Sequence, residues 1–136
     1  FFSHVPEATF ATWLEKLYSL LTPNGILIFS VHDITLMLPV EVAVKGIYFT
    51  PQSESKSLNK QLYGTTYVSE EFVSQVIYRV MGKKAKFIRI KKGLCGNQDL
   101  YVIVKNQTKS FSELKFSYHP DGRVDYCNFT PTGELE

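Results

Sequence analysis

The chain has 136 residues, of which 44% are apolar and 21% charged, with a formal net charge of +2 at pH 7. These are the proportions of an ordinary folded globular protein, long enough for one domain with a core or for a piece of a larger domain. So small a net charge gives no argument for a nucleic-acid partner, and without a run of about eighteen apolar residues there is no membrane span and no membrane partner to expect.

The N-terminal segment Phe1-Phe2-Ser3-His4-Val5 leads into an expected helix over Pro6 to Leu21, with Pro6 at the first helical position, where its missing N–H costs nothing. Phe10, Trp13, Leu14, Leu17, Leu20 and Leu21 recur at three- and four-residue steps and make one broad apolar face. Thr22-Pro23-Asn24-Gly25 stops the helix, with Asn-Gly supplying a left-handed turn. Ile26 to Val31 is almost continuously apolar, the pattern of a central strand buried on both faces of a parallel sheet. His32 and Asp33 then fall at its carboxyl end, the edge where open α/β sheets bind ligands. A helix followed by such a strand, with no strand before it, reads as the closing half of an α/β domain.

The stretch from Ile34 to Thr66 is long and irregular, with Pro39, Gly46, Pro51 and Gly64. It is either a lid or binding loop, or an insertion that packs over the sheet. Ser69 is a good N-cap for a second helix. Glu70 and Glu71 fill its first turn, Phe72, Val73, Val76, Ile77 and Val80 form its buried face, and Gly82 ends it. Lys84 to Ile90 and Asp99 to Val104 read as an antiparallel strand pair about a turn at Gly93-Leu94-Cys95-Gly96-Asn97. Beyond residue 110 two alternating runs, Phe116 to Tyr118 and Val124 to Asn128, flank Pro120-Asp121-Gly122, a hairpin signal. The hairpin either adds to the sheet or begins a following module, so residues 1–109 and 110–136 are treated as separate units.

Cys95 and Cys127 have no motif spacing, and neither a disulfide framework nor a metal site is expected. Two glycosylation sequons, at 106–108 and 128–130, are chance matches in a chain whose start lacks a signal peptide, and the default location is the cytoplasm.

In order and spacing these elements resemble the closing half of a class I S-adenosylmethionine-dependent methyltransferase. Phe2-Ser3-His4-Val5-Pro6-Glu7 is similar to the segment after that family's fourth strand. Leu21-Thr22-Pro23-Asn24-Gly25-Ile26-Leu27-Ile28-Phe29 is similar to its helix-to-fifth-strand turn, with Asn24 where glycine is common. Tyr63-Gly64-Thr65-Thr66-Tyr67-Val68-Ser69 resembles the entry to its last helix. The likeness covers Phe1 to Lys105. It implies a partial Rossmann-like sheet: helix, central strand, long loop, helix and antiparallel strand pair, plus the C-terminal hairpin. It also implies S-adenosylmethionine as the cofactor of a full-length parent. The family's glycine-rich cofactor loop and ribose-binding acid have no counterpart in this sequence. Gly93-Leu94-Cys95-Gly96 joins two antiparallel strands and is no substitute. The chain alone is therefore expected to bind no cofactor and to be inactive, needing the N-terminal half of the same domain as partner, and to form a homodimer in its absence.

Each chemical candidate has a plain alternative. His32 and Asp33 act on a substrate proton, or form a solvated strand end. His4 approaches the cofactor, or caps the first helix. Tyr48, Phe49, Glu54, Tyr63 and Tyr67 line a pocket for a small-molecule or glycan substrate, or pack the long loop. Lys83, Lys84, Lys86, Arg89, Lys91 and Lys92 hold phosphates, or protect an edge strand. The competing function is a non-enzymatic module that binds a protein, glycan or nucleic acid.

Overall fold

The computed structural model describes residues 1–36, 45–83, 85–106, 114–118, 120 and 124–129. The chain is α/β. Two helices, α1 (Glu7–Ser19) and α2 (Glu70–Met81), accompany β1 (Ile26–Asp33), β2 (Ile47–Thr50), β3 (Thr65–Val68), β4 (Lys86–Leu94) and β5 (Gln98–Val104). The five strands form one open mixed sheet in the order β2-β3-β1-β5-β4. The hairpin strands β6 (Leu114–Tyr118) and β7 (Val124–Phe129) pair antiparallel as a separate two-stranded sheet. Residues 121–123 of the expected turn lie outside the described residues.

Pro6 stands at the N-cap of α1, one position earlier than expected, and its carbonyl accepts the N–H groups of Thr9 and Phe10 at 3.1 Å. The turn before β1 closes by an N–H of Gly25 donating to Thr22 at 2.9 Å. No residue of this turn has positive φ. Gly25 instead allows a close approach, since a Cβ there would lie a tight 3.1 Å from both Leu21 Cβ and the Thr22 oxygen.

The expectation of a strand buried on both faces in a parallel sheet is corrected. β1 pairs antiparallel with β5 from Ile26↔Val104 to Val31↔Asp99, and only His32↔Tyr67 and Asp33↔Val68 are parallel pairs, with β3. Side chains alternate across a strand. Leu27, Phe29 and Val31 join Tyr101 and Ile103 on the face that Phe10 and Leu14 of α1 and Val73, Val76 and Ile77 of α2 cover. Ile26 packs with Val102, Val104, Ile88 and Ile90 on the opposite face. Both helices therefore serve one face, which is why Ile28 stays 40% exposed. Trp13 and Leu20, expected on the buried stripe of α1, are exposed, and Trp13 packs edge-on against Phe1.

The irregular stretch after β1 contains the missed strands β2 and β3, antiparallel from Ile47↔Val68 to Thr50↔Thr65. Each has four residues, too few for alternation to stand out in a sequence. Ser69 caps α2 as expected, accepting the N–H of Phe72 at 3.1 Å. Gly46, at φ 76, carries the carbonyl that accepts the Ser69 N–H at 2.8 Å. A Cβ on it would lie 2.7 Å from Ser69 Oγ. Gly82 ends the helix at φ 89.

Candidate functional site

The ladder between β1 and β5 stops at Val31 and Asp99. Past it, the last two residues of β1 leave by opposite faces. His32 pairs with Tyr67 of β3, and Tyr67 pairs with Tyr48 of β2, so these three rings form one row on the face away from the helices. The His32 and Tyr67 rings are 5.2 Å apart, tilted by 33°.

The N-terminal segment is tied to the same corner. Ser3 and His4 carbonyls accept the N–H groups of Thr66 (2.7 Å) and Gly64 (2.9 Å), and the Thr66 hydroxyl donates to the Val5 carbonyl at 2.6 Å. His4 stacks on Tyr63, centroids 4.6 Å apart and 18° from parallel. Its Nδ1 lies 2.7 Å from the Gly64 carbonyl oxygen. A carbonyl only accepts, so Nδ1 donates, and in the neutral ring Nε2 is the acceptor. Gly64 is required here, since a Cβ would strike the Thr50 carbonyl oxygen and the Phe49 ring. Burial, and then the charge of His4, hold the pKa of His32 below the ordinary histidine value. A neutral imidazole at the end of β1 has a ring nitrogen free of hydrogen, the group a general base needs.

Asp33 lies on the helix face, in a cluster centred on Arg89. Arg89 Nη2 donates to Asp33 Oδ2 at 2.9 Å and Nη1 to Glu70 Oε2 at 2.6 Å. Nε and Nη2 both reach Asp99 Oδ2, at 2.9 and 2.6 Å. The second oxygens of both aspartates are used as well: Asp99 Oδ1 accepts the Lys92 N–H at 2.9 Å, and Asp33 Oδ1 accepts the Thr35 N–H at 3.0 Å. The side chains of Arg89, Asp33 and Asp99 are 11%, 18% and 4% exposed. Burial opposes the charge of Arg89, but the hydrogen bond to Asp99, with the neighbouring negative charges, outweighs it and raises the pKa. Beneath the cluster, burial pushes the Tyr101 hydroxyl pKa up. A cleft of about 310 Å³ opens beside it, lined by Asp33, Thr35, Ser69, Glu70, Glu71 and Lys91 among others.

The structure thus brings His4 together with Tyr63, and His32 with Tyr67 and Tyr48. It separates Asp33 from His32. Phe49 pairs with buried Thr66 and so leaves β2 by the face opposite Tyr48. Glu54 is exposed in the connection between β2 and β3. Arg89, Glu70 and Asp99 were not singled out as a unit from the sequence. Arg89 is hidden among lysines there; the one local hint is Asp99, an acid opening a buried strand. Lys83, Lys86, Lys91 and Lys92 are exposed, the last three on β4 at the sheet's outer edge, and Lys84 lies outside the described residues. Among the described residues no group of three histidine, cysteine or acidic side chains could hold a metal ion. No described helix is long and apolar enough to cross a membrane. No family model, curated protein or solved structure matches this chain.

Proposed function

We propose that this chain is the substrate-side, closing portion of a class I S-adenosylmethionine-dependent methyltransferase domain, with the cofactor held mainly by the preceding half of that domain. The observation that carries the reading is the arrangement around β1: a helix enters it, its carboxyl end delivers His32 into a ring-lined corner, and a closing antiparallel pair, β4 and β5, completes the sheet beside it. None of the described glycines opens a helix directly after a strand, the geometry that lets backbone N–H groups approach a cofactor. The cofactor would supply an electrophilic methyl group.

His4 stands where this portion would meet that half. Tyr48, Tyr63 and Tyr67 give ring faces and hydroxyls for a small-molecule or glycan acceptor. Neutral His32 accepts the proton that an acceptor hydroxyl or amine loses. The test is transfer of a radiolabelled methyl group in the full-length protein. His32→Ala is expected to lower turnover more than it lowers cofactor affinity. Unchanged turnover on the true substrate would remove His32 from the site, and failure of the full-length protein to bind the cofactor would overturn the reading as a whole.

A further inference from the structure

We propose that Arg89 is a positioning residue for His32: one guanidinium pins both ends of the segment 34–69 and thereby fixes the carboxyl end of β1. The inference rests on the reading that His32 is the working group of the corner. His32 and Asp33 lie past the last β5 partner, so the main ladder does not hold them. On the backbone they have the two parallel pairs to Tyr67 and Val68. On the side chains, Asp33 is anchored to Arg89. Asp33 immediately precedes the segment, and Glu70, the first residue of α2, immediately follows it. Both carboxylates meet the same guanidinium, and Asp99 fastens that guanidinium to β5, the strand beside β1.

The shape of the group matters. A guanidinium is a planar fork of five donors and reaches three carboxylates at fixed angles, which a lysine ammonium cannot reproduce from one point. Loss of the fork frees the end of β1 and the start of α2 together. Tyr67 then shifts as well, because it lies between them and pairs with His32. Arg89 acts from the opposite face of the sheet, so its effect on His32 travels through the strand and involves no direct contact.

The test is carried out on this chain and does not depend on methyl transfer, so its failure is distinct from failure of the proposed function. Ring-proton NMR of the wild type is expected to give a His32–Tyr67 cross-peak. R89K is expected to lose that cross-peak and shift both rings, while the signals of Phe10 and Leu14 in the core keep their positions. E70A, a change at a side chain that is 53% exposed, removes the acceptor of Arg89 Nη1 and unpins one end. It is expected to shift Tyr67 more than His32. Unchanged His32 and Tyr67 signals in folded R89K would make Arg89 a purely stabilising residue and overturn the proposal. If R89K does not fold, unchanged ring signals in E70A overturn it.

Discussion

Phe29 of β1 and Tyr101 of β5 face each other across the central ladder, their rings stacked 5.4 Å apart and 12° from parallel. Phe2 also packs against Phe29, centroids 4.8 Å apart and tilted by 52°. Phe29 therefore joins the N-terminal segment to the sheet.

Phe29→Ala is expected to destabilise the fold by about 3–5 kcal/mol, because the surrounding rings cannot close over the cavity. Chemical denaturation checks this through the midpoint at constant slope. A loss under about 1 kcal/mol would mean that the site collapses freely.

Asp99→Asn should cost about as much. It leaves the shape intact but removes the charge and turns one of the two accepting oxygens into an NH2 donor, so the two Arg89 bonds on one oxygen and the Lys92 bond on the other cannot all be kept, and the breaking of a buried ion network typically costs roughly 3–5 kcal/mol. Lys92 sits in the left-handed region at φ 53, with its N–H on Asp99, so the irregular register of β4 near this point should loosen too. Amide exchange at Lys92 reads this separately from global stability.

His32 makes stability depend on pH with a definite sign. Its pKa is lowered in the folded chain, so the unfolded chain binds the proton more readily. The contribution is complete above the ordinary value of about 6.5 and is lost as pH falls through the lowered folded value. The melting temperature is expected to drop between pH 7.5 and 5.5, with a smaller drop in His32→Gln. An equal drop in both proteins would assign the pH dependence to other groups.

Titration calorimetry of this chain with S-adenosylmethionine is expected to show weak binding or none. Micromolar binding would require a cradle in this portion, contrary to the proposed division of labour.

The stretch Ile26–Val31 has β5 on one edge and, among the described residues, no strand on the other. A cleft of about 220 Å³ runs there, lined by Phe1, Phe2, Leu17 and Ile28 with their neighbours. Unpaired apolar edges recruit strands. By itself the chain is expected to self-associate, most simply as a dimer, and light scattering that gives a strictly monomeric mass at high concentration would contradict this.

Long periodic elements were legible in the sequence. The apolar steps of α1 and α2, the Ser69 cap, the Gly82 stop and the apolar runs of β1 and β5 all carry local signals, and these elements form within a few residues of their expected ends. The site was legible only in part. Pairing of His32 with Tyr67 and Tyr48 depends on two four-residue strands whose register arises from tertiary contact. Separation of His32 from Asp33 follows from β1 continuing two residues further than expected, since alternation then sends neighbours to opposite faces. Convergence of Asp33, Glu70 and Asp99 on Arg89 joins four elements, and no window of sequence spans them.

The order of strands also governs when the sheet can assemble. Of these five strands β1 is made first, yet its long partner β5 is made last, so Ile26 waits for Val104 to leave the ribosome. Closing such a distant pair costs chain entropy before any ladder bond repays it, which slows folding. Throughout that interval an almost wholly apolar strand is without its main partner. Synthesis, more than the finished protein, is the stage at which this chain most needs protection by a chaperone.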